Sequence, residues 1–141
     1  MALHILKLAV GVESVSHLAE IQEGRLARSE TGELRHMTRN TPNRAAAILD
    51  GGSIYWVIKG FIRARQRIVR FDRTVNGEGK PRCAFVLDSG LYTTVPVPHR
   101  PFQGWRYFES AQAPSDRGID ITGEDALPME MADELRSLGL L

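Results

Sequence analysis

The hydrophobic pattern along the chain predicts short strands separated by two or three helices. Residues 3–10 are rich in aliphatic side chains at successive positions, which predicts a strand buried on both faces. Ser14 then stands where a helix N-cap is expected. The apolar positions that follow recur at helical spacing: Val15, Leu18, Ile21 and Leu26. Residues 33–39 alternate polar and apolar side chains and predict a short strand.

The clearest helix start in the chain is Thr41-Pro42. Threonine is a favoured N-cap and proline is tolerated at the first helical position, so this pair predicts a helix through residues 44–49. Gly51-Gly52 follows, and glycine readily adopts the left-handed conformation that ends a helix. Residues 53–59 are dense in β-branched and aromatic side chains, which predicts a strand. Its alternation places Trp56 on the apolar face, so we expect Trp56 to be buried.

A strand rich in arginine is predicted over residues 62–71, after a break at Gly60. Three arginines at spacing two share one of its faces: Arg63, Arg65 and Arg67. Three apolar residues share the opposite face: Ile62, Ala64 and Ile68. The pattern changes face near residues 66–68, which indicates a β-bulge.

The C-terminal half predicts more strands and a last helix. Residues 76–81 form a hairpin turn, and residues 82–88 and 91–97 are two strands joined around Ser89-Gly90. Residues 113–122 read as a loop. A helix is expected from Pro128, with its apolar stripe at Met129, Ala132, Leu135 and Leu138.

These elements predict an α+β fold in one domain over residues 1–141. Five or six strands, mostly sequential and antiparallel, are expected to curl into a small barrel or a strongly bent sheet. Two or three helices would cover its ends and one face.

Composition narrows the class of protein. The chain has 141 residues, of which 43% are apolar and 25% charged, as in ordinary globular domains. Its single cysteine, Cys83, excludes an internal disulfide, and no Cys/His spacing predicts a metal site. We expect no cofactor. Neither a signal peptide nor a long apolar run is present, so a protein in solution in a reducing compartment is expected.

The net charge of +1 conceals an uneven distribution of charge. Residues 35–82 hold eleven basic and three acidic side chains, whereas residues 107–141 hold two basic and eight acidic ones. A basic centre is typical of proteins that bind phosphate or nucleic acid. The alternative is that the acidic tail folds back and neutralises the centre.

Two groups of residues are candidates for ligand binding. The first is the basic strand with its neighbours, because arginine binds phosphates and aromatic rings can stack on bases. The second is the aromatic loop at residues 99–108, which could hold a planar ligand. The predicted ligand-binding residues are Arg44, Lys59, Arg63, Arg65, Arg67, Trp105 and Arg106. The structural alternatives are a solvated sheet face and an aromatic plug.

These candidates favour a non-enzymatic domain that binds RNA or a phosphate-bearing, nucleotide-like anion, without contact with a membrane. A second hypothesis is a small enzyme acting on a nucleotide or modified base, with a pocket near His36, Arg44, Lys59 and Arg106. No nucleophile elbow, phosphate loop or dinucleotide fingerprint supports it. A third hypothesis is a protein-interaction module that uses the acidic C-terminal helix.

Five motifs resemble those of one family of small alphaproteobacterial proteins, the domain of unknown function fourteen eighty-nine. They are HxxKLxVG at 4–11, TRNTPNR at 38–44, GGSIYWVIKG at 51–60, ARQRI at 64–68 and RPFQGWRY at 100–107. The resemblance covers nearly the whole chain and implies a bacterial, cytoplasmic protein. It carries over no catalytic or binding residue. The order of the predicted elements is also similar, at the level of fold, to the PUA-like and ASCH-like domains associated with RNA, but function does not follow from fold.

Overall fold

The computed structural model describes residues 3–120. The elements are β1 (Leu3–Leu8), α1 (Val15–Ala27), β2 (Leu34–Thr38), α2 (Ala45–Leu49), β3 (Ser53–Ile58), β4 (Phe61–Val75), β5 (Pro81–Pro98), β6 (Trp105–Glu109), a 3-10 turn (Ser110–Gln112) and β7 (Asp116–Asp120). The fold is α+β. The last helix predicted from the sequence lies outside the described residues.

The described strands form one open mixed sheet in the order β2-β5-β4-β3-β1-β6, with β7 paired to β5. Strands β1 and β3 are parallel, and the segment between them carries α1, β2 and α2 as a crossover. Five of the six described pairings are antiparallel, as expected, but only β3–β4 and β4–β5 join consecutive strands, so the expectation of a mostly sequential order is wrong. Local alternation could not reveal this order because it does not specify which strands are neighbours.

The sheet is strongly curved. Four inter-strand steps separate β5 from β6, which would be about 19 Å in a flat sheet. Nevertheless the ring centroids of Phe85 on β5 and Trp105 on β6 are 6.2 Å apart. Register shifts at Trp56/Val57 and within β4, including the one predicted near residues 66–68, supply the bend. The sheet therefore curves into a half-barrel, and its two edge strands, β2 and β6, approach each other.

The main core fills the concave face, where both helices pack. Trp56 is 3% exposed, as its position in the alternation predicted. Its cluster contains Ile5, Ile54, Ile68 and Phe85 from the sheet, with Val15 and Leu18 from α1 and Ile48 from α2. A smaller cluster on the convex face joins Leu6, Tyr55, Val57, Ile62 and Phe108.

One face assignment in β4 is wrong. Ile62 was expected beside Ala64 and Ile68, but it pairs with Val57 and belongs to the convex cluster. Relative to β3, Arg63 is an extra residue between Ile62 and Ala64, which exchanges the faces on its two sides.

Strand β5 is continuous where two strands were predicted. Ser89-Gly90 does not form a turn, because β5 pairs with β4 on both sides of these residues. The bend is held by side chains: Gly90 N–H donates to Asp88 Oδ1 at 3.0 Å, and Gln66 Nε2 donates to the Asp88 carbonyl at 2.8 Å. Residues 116–120, predicted as loop, form β7 through long-range pairing with β5.

The second helix begins later than predicted. It starts at Ala45 with Arg44 as the cap residue, so Thr41 is not its N-cap. Its end is as expected: Gly51 has φ +91°, and Gly52 N–H donates to the Ile48 carbonyl at 2.6 Å. A Cβ at Gly52 would collide with the carbonyl oxygens of Leu3 and Ile48, so only glycine fits between α2 and β1. Neither described helix is long and apolar enough to cross a membrane.

Candidate functional site

The first arginine of the basic strand is buried. Arg63 is 6% exposed, and its Nε donates to the Ile58 carbonyl at 3.2 Å. Its guanidinium lies 5.1 Å from the centroid of the Phe61 ring. The bulge at Arg63 turns this side chain inward, so it stabilises the tight turn between β3 and β4.

The second arginine is neutralised by the acidic segment. Arg65 Nε and Nη2 donate to the two carboxylate oxygens of Asp116 at 2.7 and 2.6 Å, and Nη1 donates to Ser53 Oγ at 3.1 Å. The guanidinium also lies 4.6 Å from the Tyr92 ring centroid. The hydrogen bonds to Asp116 are the main cause of the raised pKa of Arg65. Arg67 is exposed, with no ion pair among residues 3–120. The strand therefore does not present three equivalent cations.

The other predicted cations lie at separate places. Arg44 is near β6, where its guanidinium lies 5.6 Å from the Tyr107 ring centroid and 3.9 Å from Glu109. Lys59 Nζ pairs with Glu13 at 2.6 Å. Arg106 is on the convex face of β6, 4.8 Å from the Phe102 ring centroid. The pocket of the enzyme hypothesis is not assembled, because His36 lies on the concave face of β2 apart from these three.

Two more arginines of the basic centre are paired with carboxylates in a cluster of four charged side chains. Arg70 donates to Asp72 at 2.9 Å and to Glu33 at 2.8 Å, and Arg35 donates to Asp72 at 2.8 Å. Arg70 is the main cause of the lowered pKa values of Glu33 and Asp72. These side chains join β2 to β4 across β5, and they satisfy one another rather than a ligand.

A cleft of about 710 Å³ lies between the two edge strands, β2 and β6. We call it the edge cleft; its lining residues are Lys7, Met37, Thr38, Arg39, Asn40, Gln103, Gly104 and Trp105. The curvature of the sheet creates it by bringing the end of β2 towards the start of β6. Gly104 has φ +72°, a conformation that favours glycine, and this turn leads into Trp105.

Trp105 and Lys7 are cross-strand neighbours in the lining of the edge cleft. They face each other across the β6–β1 pair, and on its other side Lys7 is opposite Trp56 of β3. Trp105 is half-buried, with its ring held 5.2 Å from that of Tyr107. Burial lowers the pKa of Lys7. No carboxylate within residues 3–120 pairs with Lys7 or with Arg39, so both cations are available to an anion.

A smaller cavity of about 150 Å³ lies between α1 and the sheet, and Lys7 lines it as well. We call it the inner cavity. Its polar lining includes Arg25 and His36. The Nε2 atom of His36 is buried without a hydrogen-bond partner in the described part of the chain. Burial first, and then the charges of Lys7 and Arg25, lower the pKa of His36 to about 4.

The side-chain amides and the indole N–H beside the inner cavity are hydrogen-bonded. Gln22 and Gln66 exchange two side-chain hydrogen bonds of 2.9 and 2.8 Å. Trp56 Nε1 donates to Gln66 Oε1 at 3.2 Å, which fixes the indole orientation. The edge of the His36 ring meets the Trp56 ring with centroids 5.2 Å apart.

Sequence reasoning named Trp105, which lines the edge cleft, but it did not name Lys7, and it counted Arg39 only as part of the basic centre. One signal was available for Lys7, because it is the only charged side chain in an otherwise apolar strand apart from His4. The cleft itself had no local signal, since its residues come from three separate segments. No group of three or more His, Cys, Asp or Glu side chains suited to a metal ion occurs within residues 3–120.

Comparison with known proteins identifies a family and no nearer relative. Neither a curated protein nor a solved structure matches the chain. One family model matches residues 5–141, which is nearly the entire chain. The chain therefore belongs to the family described as protein of unknown function (DUF1489).

Proposed function

We propose that this protein is a binding protein for a small nucleotide-like anion, which it holds in the edge cleft. The observation that carries the proposal is the meeting of Trp105, Lys7 and Arg39 in one cleft, with both cations unpaired among the described residues. An unpaired, half-buried lysine is costly because burial disfavours its charge. A bound anion offsets that cost.

The chemistry of the cleft fits a planar ring joined to a phosphate. The indole of Trp105 offers a face for stacking, which contributes about 1–3 kcal/mol per base. The ammonium of Lys7 and the guanidinium of Arg39 suit phosphate oxygens. Asn40 and Gln103 supply amide groups that can donate to and accept from the edge of a base. The volume of about 710 Å³ lies within the range of small-molecule sites.

A single nucleotide suits this geometry better than a strand of RNA. A strand needs a row of cations along its backbone. In the basic strand, Arg63 is buried and Arg65 is bonded to Asp116, which leaves Arg67 as the exposed member of the row. The cations of the edge cleft instead converge on one volume, as a compact ligand requires.

The test is a calorimetric titration with nucleoside monophosphates and with a single-stranded oligoribonucleotide. A monophosphate should bind, and Arg39→Gln should weaken its binding about tenfold because one charge-assisted hydrogen bond is lost. Trp105→Leu should weaken it by a similar factor through loss of stacking. Arg67→Gln is the matched control, since it removes one exposed arginine outside the cleft and should change nothing.

Two results would overturn the proposal. One is the absence of binding by any monophosphate to the folded wild-type protein. The other is binding of the oligoribonucleotide alone, with a salt dependence that Arg67→Gln reduces and Arg39→Gln does not, which would locate the ligand on the basic strand.

A further inference from the structure

The inner cavity has the size and the lining of a site for a small apolar molecule. Its volume of about 150 Å³ is comparable to apolar cavities that accept a benzene ring. The walls are aliphatic side chains of α1 and the sheet, such as Leu18, Ile21 and Leu87, with Trp56 at one side. A ring or a branched alkyl group would replace solvent there by close packing.

The charged residues of this cavity are all cationic. Among residues 3–120, Lys7, Arg25 and Arg35 line it, and no Asp or Glu does. Arg35 is already bonded to Asp72, whereas Lys7 and Arg25 have no carboxylate partner within residues 3–120. Two uncompensated cations beside an apolar volume attract an anion. A ligand suited to this cavity therefore carries one negatively charged group on an apolar body.

His36 adds a third observation, a buried nitrogen without a hydrogen-bond partner among the described residues. A buried nitrogen that makes no hydrogen bond costs free energy, so such atoms in native proteins call for an explanation. The neighbouring amides of Gln22 and Gln66 are bonded to each other and do not serve it. With the proton on Nε2, the imidazole can donate to a carboxylate oxygen.

We infer that the inner cavity binds an aromatic or branched aliphatic monocarboxylate. The apolar body packs against Trp56 and α1, and the carboxylate lies between Lys7, Arg25 and His36. This site is separate from the nucleotide site proposed for the edge cleft, although Lys7 lines both.

The two tryptophans of the chain make a selective experiment possible. In a Trp105→Phe background, Trp56 is the sole tryptophan, and its fluorescence reports on the inner cavity. Titration with benzoate should change this fluorescence and raise the melting temperature. Benzyl alcohol, which has a similar size and no charge, should bind at least about tenfold more weakly because the contacts to the cations are lost.

Variants at the mouth of the cavity test the charge contacts. Arg25→Gln should weaken benzoate binding about five- to tenfold, and His36→Phe, which keeps an aromatic edge towards Trp56, should have an effect of similar size. Arg28→Gln is the matched control: Arg28 is an exposed arginine at the end of the same helix and does not line the cavity. Arg25 is exposed, so its replacement should leave the fold intact.

Three results would overturn the inference: no response to benzoate by the folded protein, equal affinity for benzyl alcohol, or equal effects of Arg25→Gln and Arg28→Gln. The nucleotide site is tested separately, because its variants are Arg39→Gln and Trp105→Leu and its probe is a monophosphate. Failure of one site therefore leaves the result for the other unchanged.

Discussion

His36 illustrates at the level of one residue how the environment selects a protonation state. Burial and the nearby charges of Lys7 and Arg25 lower its pKa to about 4. A histidine in the unfolded chain has a pKa near 6.5. As the pH falls below 6.5, the unfolded chain takes up the proton first, so the folded state loses stability until the pH reaches about 4.

We therefore predict that wild-type stability falls between pH 6.5 and pH 4 relative to His36→Phe. The difference between the two proteins should change by up to about 3 kcal/mol over this window. Urea unfolding at a series of pH values measures it, and an NMR titration of the imidazole gives the pKa directly.

The comparison with His36→Phe is needed because acidic groups also titrate. Glu33 and Asp72 have lowered pKa values, and their contribution is lost as the pH falls through those values in both proteins. Parallel stability profiles for wild type and variant, or an NMR pKa near 6.5, would contradict the assignment.

At the scale of elements, the bond between Arg65 and Asp116 attaches β7 to the sheet. Asp116 begins β7 and pairs with Thr94 of β5, and its carboxylate reaches Arg65 on β4. Both side chains are partly exposed, at 25% and 31%, so solvent screening reduces the strength of the ion pair.

Arg65→Gln should therefore lower the free energy of unfolding by about 1 kcal/mol and increase hydrogen exchange in β7. Arg67→Gln, on the same strand but exposed, should lie within about 0.5 kcal/mol of wild type. Equal effects of the two substitutions on exchange in β7 would show that Arg65 does not attach this strand.

The two glycines after α2 give a second prediction for elements. Gly52→Ala would place a methyl group against two backbone oxygens, which cannot move aside without displacing α2 from β1. We expect the free energy of unfolding, measured by urea denaturation, to fall by about 3 kcal/mol. Gly51→Ala meets open space but retains a positive φ, so its cost should be smaller, about 1–2 kcal/mol. A larger loss for Gly51→Ala than for Gly52→Ala would mean that the backbone around Gly52 shifts and relieves the contact.

At the scale of the whole molecule, Trp56 joins several elements. It lies opposite Lys7 of β1 and Ala64 of β4, contacts His36 of β2 and donates to Gln66. Trp56→Ala should cost about 3–5 kcal/mol, because it leaves a large cavity in the centre of the concave face and removes one of the two hydrogen bonds that Gln66 Oε1 accepts. A loss below about 1 kcal/mol in chemical denaturation would place the indole at the surface.

Much of the fold followed from local signals because its causes are local. Ser14 caps α1 as predicted, with its Oγ accepting a hydrogen bond from His17 N–H at 3.1 Å. The glycines after α2, the strand containing Trp56 and the irregular pairing near residues 66–68 were also predicted correctly. Each depends on backbone preferences or on alternation within a few residues.

The candidate site was less predictable, since it depends on which distant residues meet. Trp105 was identified by its residue type, but its neighbours Lys7 and Arg39 lie on other strands. Arg65 looked like a phosphate ligand because no acidic residue is nearby in sequence, and its partner Asp116 lies 51 positions away.

The sequence by itself determined the α+β class, most of the strands and helices, the burial of Trp56 and the family. Only the tertiary structure decided the parallel pairing of β1 with β3, the continuity of β5, the strand β7 and the edge cleft. The physical reason is that a two-residue hydrophobic period determines the face of the sheet on which a side chain lies. It does not determine which strand lies next to that side chain's own strand. Neighbours in a sheet are chosen by the packing of the entire chain.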